Sequence, residues 1–81
     1  MDYSDIYARR IIELCDRQGI SINRLATLCG LRQSSIDNII HGRSKNPTVI
    51  TLHKIANALN LTLSEFLDFP ALNDYSFDEE K

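Results

Sequence analysis

The chain has 81 residues, 43% of them hydrophobic and 25% charged, with a formal net charge of −2. That composition belongs to a soluble globular fold and excludes a disordered polyelectrolyte, while the length allows one small core. No apolar run exceeds three residues, far short of the ~20 needed to cross a bilayer, and the acidic start Met1-Asp2-Tyr3-Ser4-Asp5 lacks the basic and apolar parts of an export signal, so a cytoplasmic protein with no membrane partner is expected.

The first helix is expected from about Asp5 to Gln18, because Tyr7, Ile11, Leu14 and Cys15 recur at three- and four-residue steps and so share a face. Gly19 supplies its left-handed stop. Ser21 caps a second helix, which turns Leu25, Ala26 and either Leu28 or Cys29 inward before Gly30 ends it. A third helix over about Gln33 to Ile40 buries Ile36, Ile39 and Ile40 and stops near Gly42. The stretch Gly42-Arg43-Ser44-Lys45-Asn46-Pro47 reads as a polar loop. Thr48 caps a fourth helix with the stripe Leu52, Ile55, Ala56 and Leu59, and Asn60 is its left-handed terminator. Thr62-x-x-Glu65 is a capping box that opens a short fifth helix carrying Leu63, Phe66 and Leu67, and Pro70 ends it. The expected architecture is all-α: a five-helix domain over residues 1–70, followed by an acidic, flexible tail over 71–81. Cys15 and Cys29, in a chain with no export signal, are expected as reduced core residues.

Charge is unevenly distributed. Residues 21–54 carry Arg24, Arg32, Arg43, Lys45 and Lys54 against Asp37 alone, a net of +4. The segments on either side are acidic, at −1 before it and −5 after it. Local field rather than overall charge decides where a polyanion docks. The basic block contains the two short helices either side of Gly30, and the second presents Arg32, Gln33, Ser34, Ser35 and Asn38 outward. A helix face of amides and hydroxyls without large apolar groups suits base edges in a DNA groove.

The order Leu25-Ala26-x-x-Cys29-Gly30-Leu31, then Ile36-x-x-Ile39 and Gly42, with Pro47-Thr48 and Leu52-x-x-Ile55-Ala56-x-Ala58-Leu59-Asn60-Leu61 downstream, resembles the phage-repressor/Cro-type helix-turn-helix regulators, the XRE family. The resemblance runs from about Ile6 to Phe69. It implies a lambda-repressor-like fold whose third helix enters the major groove, with Gln33 and Ser34 leading and Asn38 one turn behind. Gln and Asn suit adenine, whose N6 donates and N7 accepts, and a bidentate contact gives roughly 1–3 kcal/mol of discrimination.

Phosphate anchoring is expected at the start of the second helix, from Ser21 and the amides of Ile22 and Asn23. It is also expected around the loop, from Arg43, Ser44, Lys45, Asn46, Thr48 and His41, with Ser35 on a phosphate or base. The implied partners are double-stranded DNA and a second copy of the chain, and no cofactor is implied.

Three positions depart from the family pattern. Ile22 replaces a common Gln. Arg32 replaces a capping Ser or Thr and reaches for a phosphate or guanine instead. Cys15 and Ile40 stand where many members place a buried Arg–Glu pair. Catalysis is not expected: no nucleophile elbow or phosphate-cradling glycine loop is present, and Cys15, Cys29, His41 and His53 lack zinc spacing. The rival reading is a protein-interaction module on the same fold, such as an antitoxin or a regulator's partner, with the acidic Asp74–Glu80 tail mimicking or shielding a basic surface. Tyr3, Phe66, Phe69, Leu72, Tyr75 and Phe77 offer either a dimer patch or closure of the monomer core.

Overall fold

A computed structural model of the chain describes residues 3–44 and 46–80, so Lys45, one of the expected phosphate contacts, lies outside the described residues. The helices are α1 (Tyr3–Gln18), α2 (Ile22–Cys29), α3 (Gln33–Ile40), α4 (Val49–Ala58), α5 (Leu63–Leu67) and α6 (Pro70–Asn73), followed by a 3-10 turn over Phe77–Glu80. No strand occurs among the described residues.

The caps read from the sequence mark these boundaries. Ser21 accepts from the Arg24 N–H at 3.0 Å, and Thr48 accepts from that of Thr51 at 3.3 Å. Thr62 and Glu65 form the reciprocal capping box, with Glu65 Oε1 taking the Thr62 N–H at 2.8 Å and Thr62 Oγ1 taking the Glu65 N–H at 3.1 Å. Asn60 adopts φ 60° beyond α4, as its place there requires. Gly30 sits at φ 69°, where a Cβ would meet nothing within 4 Å, so glycine is needed for its backbone angle and not for space. Its turn is closed by Leu31 N–H donating to the Ala26 carbonyl at 3.2 Å.

The core gathers one stripe from each long helix. Ile11, Leu14 and Cys15 of α1, Leu25 and Ala26 of α2, Ile36 and Ile39 of α3, and Leu52, Ile55 and Ala56 of α4 close around Leu59 and Phe66. Helix α1 packs on α3, and α2 on α4. Of the two inward candidates on α2, Cys29 is the one packed against the core, while Leu28 is 46% exposed. Ile40, expected to be buried, is only half-buried at the edge of the cluster. Cys15 and Cys29 are free thiols, and burial raises the pKa of both.

The segment read as an acidic tail carries two short elements among the described residues, α6 and the 3-10 turn. Pro70 starts α6 instead of only stopping α5, its fixed φ and missing N–H suiting the first helical position. Tyr75 and Phe77 then fold back on Tyr3, with ring centroids 4.9 and 5.7 Å away, and Tyr3 also meets Tyr7 edge-on at 5.5 Å. Of the residues expected as dimer patch or core closure, Phe66 and Phe69 are buried, whereas Phe77 stays 64% exposed.

Two α1 side chains tie off the later helices. Arg10 donates through Nε to the Phe66 carbonyl at 3.0 Å and through Nη2 to that of Glu65 at 2.9 Å, and its guanidinium lies 4.9 Å from the centre of the Phe69 ring. Gln18 Nε2 donates to the Leu59 carbonyl at 2.7 Å. These donors serve carbonyls at the ends of α4 and α5, that of Glu65 also taking the Asp68 N–H at 3.4 Å. Arg10→Met keeps the apolar stem and removes the donors. It is expected to lower unfolding free energy by about 1–3 kcal/mol in urea titrations.

The Thr62 N–H and hydroxyl hold the Glu65 carboxyl below the ordinary carboxylate range, the backbone bond contributing most. A carboxyl whose pKa is depressed on folding stabilises the fold above its unfolded pKa and loses that effect as pH falls through the folded one. The stability gap between wild type and Glu65→Gln is therefore expected at neutral pH and should close in acid, as followed by denaturation midpoints between pH 7 and pH 3.

Candidate nucleic-acid interface

Helix α3 is eight residues long and buries Ile36 and Ile39. With period 3.6 this leaves Gln33, Ser34 and Asn38 outward, and all three are exposed, whereas Ser35 and Asp37 on the flanks are half-buried. Arg32, the N-cap residue, is also exposed and makes no side-chain cap bond, as expected for a side chain without an acceptor. Its carbonyl takes the Ser35 N–H at 3.0 Å.

Two of the outward amides are already engaged. Gln33 Nε2 donates to Asp37 Oδ1 at 3.0 Å, one turn along the same helix. Asn38 Oδ1 accepts from Arg43 Nε at 3.0 Å, and the Asn38 carbonyl takes the N–H groups of both Arg43 and Ser44 at 2.8 and 2.9 Å. Asn38 thus organises the loop after α3, a task not anticipated from the sequence, and its Nδ2 remains its uncommitted donor group. Asp37 was likewise not singled out as a site residue. The signal for it was the Gln–Asp spacing of four on one helix, at which such side chains bond.

Beside this face lies an open cleft of about 230 Å³ between α3, the loop and the start of α4. It brings together Ser35, Ser44, Asn46 and Thr48 of the expected anchoring set, with Asn38 from the expected reading set and Thr51 added. The Thr48 hydroxyl is spent on the N–H and hydroxyl of Thr51, so the start of α4 offers its backbone donors rather than that oxygen. His41 is the C-cap residue of α3 and does not line the cleft.

Ser21, Ile22 and Asn23 form a separate group at the start of α2. Ser21 Oγ accepts from Arg24, leaving its own hydrogen to donate, and the Ile22 side chain packs against the core, so Ile22 can offer only its N–H. Arg24, Arg32, Arg43 and Lys54 are all exposed, and Asp37 is the one acid in that segment. This segment therefore combines exposed basic side chains, amides and hydroxyls with the starts of α2 and α4, whose first N–H groups have no partner inside their own helix. Such a surface suits binding and orienting a polyanion. Among the described residues, no group of three or more His, Cys, Asp or Glu is placed to hold a metal, and no helix is long and apolar enough to cross a membrane.

The family described as Helix-turn-helix (HTH_3) matches residues 11–66. The HTH-type transcriptional regulator PuuR of Escherichia coli (strain K12) is 36% identical over 66 residues, which are 82% of this chain and 35% of that protein. The protein of the same description from Shigella flexneri matches to the same extent. The chain thus spans about a third of the length of these curated relatives. The crystal structure of the prophage Lp1 protein 11 superimposes with a TM-score of 0.82 at 37% identity, over 93% of this chain and 100% of that one. The match extends beyond the α2–α3 pair to α1 at one end and α5 at the other, and the chain belongs to the helix-turn-helix family of the phage-repressor (XRE) type.

Proposed function

We propose that the chain binds double-stranded DNA in a sequence-specific way as a small transcriptional regulator, acting as a repressor, with α3 in the major groove. The observation that carries this reading is the outward face of α3: Arg32, Gln33, Ser34 and Asn38 stand exposed on a buried apolar stripe, inside the one net-positive segment of the chain. Gln33, Ser34, Asn38 and Arg32 read base edges. The two polar groups on either side position the duplex. At one, Ser21 and the N–H groups of Ile22 and Asn23 take a phosphate at the positive end of α2. At the other, Ser35, Ser44, Asn46 and the first N–H groups beyond Thr48 take a second, with Arg43, Lys45 and His41 supplying charge and donors. The printed role of the PuuR relatives, transcriptional regulation, supports the same reading.

An eight-residue helix is only about 12 Å long, enough to read a few base pairs. We therefore propose a homodimer that sets two such helices about 34 Å apart on a two-fold operator, with the exposed edge of the Tyr3–Tyr75–Phe77 cluster as its patch. The patch is apolar and aromatic, the composition that self-association favours. Bound protein on an operator excludes other proteins from that DNA, which is the basis of the repressor assignment.

Gln33→Ala is expected to relax preference at one base position by about tenfold, as read by selecting bound sites from a random duplex pool. Arg43→Ala should weaken binding to every duplex, random sequence included, and reduce the slope of log affinity against log salt by about 0.9. If both substitutions left binding and its salt dependence unchanged, α3 would not be the reading helix. Sedimentation of the chain with a two-fold operator duplex should give two protein copies per DNA. One copy at every concentration would exclude the dimer.

A further inference from the structure

Asp37 is the only acid among residues 21–54, where five basic side chains stand. A carboxylate on the helix that approaches a polyanion opposes binding, so its place on α3 calls for a compensating role. The contact it makes supplies one. Its Oδ1 accepts from Gln33 Nε2 at 3.0 Å, and Gln33 itself is exposed at the leading end of α3.

We infer that Asp37 is a positioning residue that fixes which end of the Gln33 amide meets the DNA. This rests on the reading of α3 as the base-contacting helix. A free glutamine presents either its oxygen or its nitrogen, because the two ends of the amide are similar in size and interchange by rotation about the last bond. Here rotation by half a turn would set Oε1 against the Asp37 carboxylate, two acceptors with no proton between them. The bound orientation commits Nε2 to the protein through one hydrogen. It leaves Oε1, with one remaining N–H, for the groove.

An acceptor in that position favours bases that carry an amino group on the major-groove edge, adenine at N6 and cytosine at N4. It opposes guanine O6 and thymine O4. Adenine alone also places an acceptor, N7, beside its amino group for the remaining N–H. The expected order at the position read by Gln33 is adenine, then cytosine, then guanine and thymine. The charge of Asp37 adds a second effect of the same sign: it weakens attachment to phosphates wherever the base contact is missing, which widens the gap between operator and random DNA.

The test uses the whole 81-residue chain as wild type, Asp37→Ala, Asp37→Asn and Gln33→Ala. Selection from a random duplex pool locates the base position that Gln33→Ala relaxes, and competition titrations then compare four duplexes that differ only there. Wild type should favour adenine over guanine and thymine by about tenfold. Asp37→Ala should reduce that ratio to about twofold or less while binding random duplex more tightly, with its circular dichroism and melting curve kept. Asp37→Asn offers Gln33 either an oxygen or an amino group, so it no longer excludes the reversed amide and its preference should stay close to that of Asp37→Ala.

Full adenine preference in Asp37→Ala would overturn the positioning role. So would an Asp37→Asn protein with the full adenine preference of wild type. If Gln33→Ala itself changes no base preference, the failure lies in the reading of Gln33 as a base contact, and the role of Asp37 falls with it.

Discussion

The left-handed turn at Gly30 is the constraint on which the rest of the arrangement depends. It ends α2 within one residue, with the Gly30 and Leu31 N–H groups returned to the Thr27 and Ala26 carbonyls, and lets α3 begin three residues later. Only that short connection allows Leu25 and Ala26 of one helix and Ile36 and Ile39 of the next to enter the same core. A side chain at φ 69° would cost of order 1–2 kcal/mol in backbone strain. The turn also sets where α3 starts, and with it which side of α3 meets the core. Because helix positions are set by a 100° step, a rotation of a few tens of degrees moves Ile36 or Ile39 toward solvent and Gln33 or Asn38 toward the core. The identity of the exposed face is thus a consequence of the turn and the buried stripe together.

The helices behind this pair hold it in place with few residues. Helix α5 has five residues, too few to persist alone in water. It survives because both ends are tied and its middle is buried: the Thr62–Glu65 box closes its start, Arg10 takes carbonyls at its end, and Phe66 is fully enclosed. Arg10 and Gln18 both belong to α1, so one helix supplies the donors that finish α4 and α5 while its other face packs on α3.

What was legible in the sequence was what is decided locally. Ser21, Thr48, Thr62, Glu65, Gly30 and Asn60 act on backbone groups within a few residues, so their presence alone marks where helices start and stop. The apolar stripes were legible for the same reason, since each helix buries what its own period places on one side. Contacts between distant positions were not legible. Nothing in a one-dimensional pattern brings Arg10 to carbonyls 55 and 56 residues away, or the polar-looking end of the chain to Tyr3. At the candidate interface, the residue types and their exposure could be read, but their pairing could not. Asn38 was visible as an outward amide, whereas its engagement by Arg43 depends on the path of a loop that composition alone leaves open. That loop also contains Lys45, whose place in the site rests on the sequence.

The joint between α1 and α3 gives the last step. The two positions that the resemblance assigns to a buried Arg–Glu pair hold Cys15, almost wholly buried, and Ile40, half-buried against the same core. A buried ion pair constrains direction, since it fails unless donors and acceptors align; an apolar contact constrains only shape. An apolar joint carries no desolvation cost for buried charge and leaves the orientation of α3 to close packing within the cluster that holds Ile36 and Ile39 together with Ile11 and Leu14. Packing at interior density tolerates little sliding, so an apolar joint still fixes the helix. The outward amides are held instead by charged groups on the surface, Gln33 by Asp37 and Asn38 by Arg43. The directional side-chain bonds of α3 thus lie on its outer side and its close packing on the buried one.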